Sequence, residues 1–207
     1  MNRMQIRTLE VGWLQTNCYV VTPDEGGLCV VIDPGGDSSV ILDYIEDNRL
    51  TCAAILLTHG HFDHCMGVAP LLEEISAPLY MSAEDINRDI GNAGFTFVPP
   101  DDTHDVEDGD VLTFGSLRFE AIACPGHTPG GLTYKIEDTL FTGDTLFRQS
   151  IGRTDFPAGD PAAMRRSLMR LRELPGNFDV LPGHGGQSTL DFERGSNPYM
   201  NNLSLVE

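Results

Sequence analysis

The chain has 207 residues, 41% of them apolar and 21% charged, which is enough for a buried core and is read as one domain over 1–207. Its net charge of -18, from 31 acidic and 13 basic residues, repels phosphate backbones and argues against nucleic acid as a partner. No apolar run approaches the ~20 residues of a membrane span, and no apolar stretch follows the basic N-terminal residues as in a signal peptide, so the expectation is a cytoplasmic protein with no membrane partner.

In chain order, Gln15–Val21 and Leu28–Ile32 read as strands joined by the turn Pro23-Asp24-Glu25-Gly26-Gly27. A helix follows Asp33-Pro34-Gly35-Gly36, with Asp37 as its candidate N-cap and Ile41 and Ile45 on one face. Residues 52–57 form a continuous apolar run, as in a strand covered on both faces. Gly67–Ile75 reads as a helix and Pro78–Met81 as a short strand, and residues 85–110 carry mixed signals. Strand patterns then recur at Val111–Phe114, Leu117–Ala123, Leu132–Ile136 and Thr139–Thr142. Asp160-Pro161 opens a helix with Met164, Leu168 and Leu171 as its apolar stripe. Phe178–Leu181 reads as a last strand and Thr189–Ser196 as a last helix. Strands interspersed with helices predict sheet layers covered by helices. The cysteines, Cys18, Cys29, Cys52, Cys65 and Cys124, are odd in number and contain no CxxC pair, so free thiols are expected rather than a disulfide framework.

Five of the six histidines lie in short segments framed by Gly or Pro after strands. These are Thr58-His59-Gly60-His61-Phe62-Asp63-His64, Pro125-Gly126-His127-Thr128-Pro129-Gly130 and Pro182-Gly183-His184-Gly185-Gly186. Asp144, in Thr142-Gly143-Asp144-Thr145, has the same setting. Sites in layered α/β folds collect at strand ends. On an extended backbone residues 59 and 61 project to one side, so His59 and His61 can reach one ion together, and Gly60 permits close approach of backbone to metal. A turn at Asp63 and His64 would send both toward a second position. His127 can complete the first set, His184 the second, and Asp144 has two oxygens with which to bridge, at the ~3.5–4 Å separation of two-metal hydrolytic sites. Crowding these groups together costs solvation and repulsion unless cations compensate. A closed structural zinc site would favour thiolates, and no cysteine has that spacing. His104, among Asp101, Asp102 and Asp105, reads as a surface loop residue.

These segments resemble the metallo-β-lactamase fold superfamily, whose hallmark is HxHxDH. Over nearly the whole chain the order of motifs is similar to the short glyoxalase II-like, or hydroxyacylglutathione hydrolase-like, branch. Cys124–Gly130, Phe141–Phe147, Ile151–Phe156 and Leu181–Gly185 carry that likeness. The resemblance implies an α/β fold, the αββα four-layer sandwich. It implies His59, His61 and His127 on one metal, Asp63, His64 and His184 on the other, and Asp144 between them. The ions would be two divalent cations, zinc first, with iron or manganese as alternatives. Arg153 lies where this branch places a basic substrate-binding residue, although a salt bridge to Asp155 would also explain it.

The expected activity is a metal-dependent hydrolase, a thioesterase of glyoxalase II type. A hydroxide held by two metal ions and oriented by Asp63 would attack the carbonyl of a small-molecule thioester, and catalytic roles fall to Asp63 and Asp144. Two departures from glyoxalase II bear on the substrate: the chain ends about twenty residues after His184, without the helical extension that binds glutathione, and Gly131 stands where many relatives have histidine. The alternatives are a persulfide dioxygenase-like single-iron oxidoreductase, which shares Gly-Arg-Thr-Asp-Phe at 152–156, or a lactonase. An antibiotic β-lactamase is disfavoured by the lack of an export signal, and a non-enzymatic module by the completeness of the ligand set. No stretch reads as a dimer face.

Overall fold

The computed structural model describes residues 4–86, 88–92 and 94–207. Its first sheet is built from β1 (Gln5–Val11), β2 (Thr16–Thr22), β3 (Leu28–Ile32), β4 (Thr51–Leu56), β5 (Leu79–Met81) and β6 (Thr103–Asp105), in that order across the sheet. The first three strands are antiparallel neighbours, and β3 through β6 run parallel. Parallel neighbours need crossovers. Helix α1 (Ser38–Asp47) supplies one, and α2 (Phe62–Cys65) with α3 (Val68–Glu74) another.

The second sheet begins with β7 (Val111–Phe114), β8 (Leu117–Ala123), β9 (Leu132–Ile136) and β10 (Thr139–Gly143). A small ribbon, β11 (Leu146–Phe147) with β12 (Ser150–Ile151), leads to α4 (Pro161–Arg172). That helix crosses over to β13 (Asp179–Pro182), which lies parallel to β10, and β14 (Ser188–Thr189) closes the edge. Helices α5 (Leu190–Ser196) and α6 (Pro198–Asn201) follow.

Period-two alternation explains how these sheets stack. In β2 and β3, Cys18, Val20, Cys29 and Val31 point to one side and pack against Ile41 and Ile45 of α1 and Leu71 of α3. Their neighbours Tyr19, Val21, Val30 and Ile32 point to the other side and meet Phe119, Tyr134, Phe141 and Leu181 of the second sheet. The outer face of that sheet, with Leu140 and Val180, is covered by Met164, Leu168 and Leu171 of α4 and by Leu190 and Met200. Three apolar cores between four layers give the αββα sandwich. All five cysteines are buried free thiols. Among the described residues no helix is long and apolar enough to cross a membrane.

Most elements fall where their patterns place them, and four differ. Strand β1 escaped the reading, although Ile6, Leu9 and Val11 are apolar, because polar and charged residues fill most of its outward positions. Asp37 stands at the N-cap of α1 but in a left-handed conformation, and its carboxylate accepts the Gly12 N–H at 2.8 Å instead of capping the helix. His104 sits in the edge strand β6, exposed and stacked on Tyr80, and not in a loop. The mixed stretch 85–110 begins at the end of a 3-10 turn, Ala83–Asp85, and holds the short strand β6 among its described residues. Asp160 caps α4 as read, accepting from Ala162 N and Ala163 N.

Candidate metal centre

Every motif sits where a strand gives out at one end of the two sheets. His59 and His61 follow β4. His61 is still extended, and the chain then turns into α2, which carries Asp63 and His64. His127 lies between β8 and β9, Asp144 directly after β10, and His184 directly after β13. Thr16 bridges to His184, so the last of these is tied to the first sheet.

The structure brings all seven side chains together. One ligand atom each from His59, His61 and His127 falls within 4.8 Å of the others, and the same holds for Asp63, His64 and His184. Asp144 lies between: its Oδ1 is 3.4 Å from His64 Nε2, and its Oδ2 is 3.5 Å from His127 Nε2 and 3.6 Å from His184 Nε2. His104, left aside by the sequence reading, is far from this chemistry and pairs with Asp102.

The outer nitrogens of the rings are engaged, which fixes the tautomers. His61 Nε2 donates to the Ile90 carbonyl and His127 Nδ1 to the Arg153 carbonyl, both at 2.7 Å. His64 Nδ1 donates to Asp33 Oδ2 at 2.9 Å, and His59 Nδ1 lies 3.1 Å from Thr58 Oγ1. The inner atoms are different. His59 Nε2, His64 Nε2, His127 Nε2 and Asp144 Oδ1 are buried and have no hydrogen-bond partner. A buried polar atom without a partner costs about 1–3 kcal/mol, and four of them aimed at one small volume fit a cation there.

The electrostatics agree. Burial, aided by the neighbouring imidazoles, pushes His59 down from the ordinary histidine range, and burial with His127 nearby pushes His61 down to about 4. Both are lone-pair donors at neutral pH. Burial works against the Asp144 charge, but His64, His127 and His184 outweigh it and hold the carboxyl well below its usual range. Asp63 is likewise lowered, burial being offset by the His184 hydrogen bond and by His64. For His64 burial opposes the proton, yet Asp144 and Asp33 on either side raise its pKa well above normal. A cation held by His64 Nε2 would take the place of that proton.

Above this floor opens a pocket of about 350 Å³ with walls from Leu14, Phe62, Phe147, Ile151, Phe156 and Arg153. The salt bridge expected of Arg153 is present, at a residue that also faces the pocket. It lines the pocket, and its Nε and Nη2 each lie 2.6 Å from an Asp155 oxygen, with the guanidinium 4.2 Å from the centre of the Phe156 ring.

Sequence reasoning missed Asp33 and Asp85. Asp33 had a signal: it ends an apolar strand ahead of Pro34-Gly35-Gly36, the setting shared by the histidine segments. Its buried carboxylate holds Thr58 N and Thr58 Oγ1, both at 2.7 Å, as well as His64. Asp85 had no sequence signal. At Gly60 the space is tight: a Cβ there would press on Asp85 Cβ at 3.0 Å and on Ile90 Cδ1 at 3.2 Å.

Known proteins are similar to this chain in sequence and fold. Hydroxyacylglutathione hydrolase GloC of Haemophilus influenzae is 34% identical, the match covering 97% of this chain and all of that protein. A di-iron-bound structure of TTHA1623 is 39% identical with a TM-score of 0.82, covering 93% of this chain and 99% of that one. The BLEG-1 B3 metallo-beta-lactamase is 33% identical with a TM-score of 0.87, covering 96% and 100%. The family model described as the metallo-beta-lactamase superfamily matches residues 11–184, a span that includes strands β2 to β13 and all seven clustered side chains, and the chain belongs to that superfamily.

Proposed function

We propose that this metallo-hydrolase is binuclear and cleaves thioesters of small molecules in the manner of a glyoxalase II enzyme. His59, His61 and His127 would hold one divalent ion, Asp63, His64 and His184 the other, with Asp144 between them. The observation that carries the reading is the convergence of four buried, unpartnered donor atoms in three linked clusters, the middle one, His59, His64 and Asp144, sharing a residue with each of the others. Nitrogen and oxygen donors without sulfur suit zinc, iron or manganese, and we take zinc first. Ions bound there would supply a nucleophilic oxygen at neutral pH and polarise the substrate carbonyl.

The residues of the chain do the rest. Asp63, ionised and facing the pocket, accepts a hydrogen bond from the attacking oxygen and orients it. The apolar walls hold the acyl part and keep bulk water from the carbonyl. A thiolate leaves without a strong acid, and the pocket presents none. Arg153 stands at the mouth for an anionic group on the substrate, its charge already shared with Asp155. The GloC likeness supports thioester chemistry, and the second cluster, with His184 in place, favours hydrolysis over the single-iron dioxygenase alternative.

The test is elemental analysis of the purified protein beside a thioester panel that includes S-lactoylglutathione. Two ions per chain and thioester turnover are expected. Saturation at one ion, or oxygen uptake with a persulfide in place of thioester cleavage, overturns the proposal. Lactone cleavage without thioester cleavage would move it to the neighbouring ester class.

A further inference from the structure

Asp85 closes the turn after β5 and is 6% exposed. Among the described residues its carboxylate accepts three hydrogen bonds, all from neutral donors. Oδ2 accepts from Gly60 N at 2.9 Å and Thr128 Oγ1 at 2.8 Å, and Oδ1 from Gly130 N at 2.6 Å. Gly60 separates His59 from His61, and Thr128 adjoins His127. The carboxylate therefore fastens the backbone on either side of one cluster, joining a loop of the first sheet to a loop of the second.

Both loops are shaped to admit it. A Cβ on Gly60 would lie 3.0 Å from Asp85 Cβ, and one on Gly130 would lie 2.7 Å from Asp85 Cγ. The glycines of two metal motifs thus face this carboxylate. The chain after Asp85 continues the same task. Ile90 O receives His61 Nε2, while Asn92 donates to Gly60 O at 3.0 Å and accepts from Phe62 N at 2.8 Å. The other cluster, Asp63, His64 and His184, has no bond to Asp85 and is steadied from Asp33.

We propose that Asp85 is a positioning residue that sets the separation of the His59–His61 loop from the His127 loop, and thereby the ion affinity of that three-imidazole cluster, without touching it. The inference rests on the binuclear reading above. Asparagine at 85 keeps the shape but presents an amide donor to at least one of three donors, so the loops must part or a bond be lost. Outer partners of metal-binding histidines are typically worth 10–100-fold in affinity.

The experiment is a zinc titration of chelator-stripped full-length protein against a chromophoric competitor, with cobalt(II) absorption reporting geometry. Asp85→Asn is expected to weaken one of two sites by roughly 10–100-fold and to change its cobalt spectrum, leaving the other unchanged. A His184→Ala background, which keeps the three-imidazole cluster whole, should show the same loss. Thr128→Val removes one bond while keeping the carboxylate, and should show a smaller loss at the same site. Wild-type affinities and spectra in Asp85→Asn, or equal losses at both sites, overturn the inference. If Asp85→Asn does not fold, Thr128→Val decides, and an unchanged titration there overturns it too. A wild type that binds only one ion ends the binuclear reading, while the Asp85→Asn effect on that ion still tests the inference.

Discussion

Replacing Asp33 with asparagine should disarm His64 from behind. The left-handed backbone at Asp33, with φ of 53°, suits asparagine, so the substitution adds little strain. The carboxylate accepts three hydrogen bonds, two from Thr58 and one from His64 Nδ1. An amide has one acceptor oxygen. If it keeps Thr58 N, its NH2 group faces the Thr58 hydroxyl, which can turn and accept, and the His64 nitrogen, which as a donor cannot. His64 then loses the bond that holds its ring, and its Nε2 is no longer fixed toward Asp63 and Asp144, 3.6 and 3.4 Å away. Loss of a hydrogen bond to a charged acceptor costs about 1.5–3 kcal/mol. At about 2–4 °C per kcal/mol for a chain of this size, the melting temperature should fall by about 3–12 °C. The ion shared by Asp63, His64 and His184 should bind roughly 10–100-fold more weakly. Thermal melts with and without zinc, beside a competition titration, read both numbers. An unchanged melting point together with unchanged affinities would show that Asp33 does not hold the His64 ring in place.

Asp144→Ala should lower kcat/KM by at least ~10²-fold and release metal from both clusters, a larger effect than loss of any single histidine; steady-state rates with elemental analysis check it. Stripping the protein with a chelator should lower its melting temperature, and zinc at about 100 times its dissociation constant should restore about 2.7 kcal/mol, or about 5–11 °C. A melting point indifferent to metal would contradict the centre proposed here. Arg153→Ala should raise KM for an anionic thioester by no more than about tenfold, because the guanidinium is exposed, screened and shared with Asp155, and should leave neutral thioesters unaffected. A loss of kcat with neutral substrates would place Arg153 in a different role.

The inner side chains of the centre were legible because each announces itself locally. A histidine or aspartate in a short segment carrying glycine or proline after an apolar run needs no knowledge of the rest of the chain, and the order of such runs already implies layers. The groups that aim those side chains were not legible in the same way. Asp33 shares the strand-end setting but looks like the start of a helix, and Asp85 looks like any surface acid until the loops at 60 and 130 close over it. Hydrogen bonds that span 25 to 45 residues leave no periodicity to read. Asp37 shows the converse limit: its neighbours specify a cap, and a distant backbone N–H from Gly12 takes the carboxylate instead.

The turn at 182–185 hangs from β2 by backbone and side chain alike. Asn17 Nδ2 donates to Pro182 O at 3.0 Å and to Gly185 O at 2.9 Å, Asn17 N to Gly183 O at 2.8 Å, and Tyr19 Oη to Pro182 O at 2.7 Å. His184 belongs to one sheet and Asp63 to the other, yet they stand 3.1 Å apart because of this suspension. Sliding one sheet over the other by an ångström would therefore change every distance across the cluster at once. Packed layers resist such shear because their side chains interdigitate at crystal-like density. The centre thus acts as a gauge of how the two halves of the sandwich are docked, so a substitution in the interlayer core, far from any donor atom, should register first as a change in the geometry between His184 and Asp63.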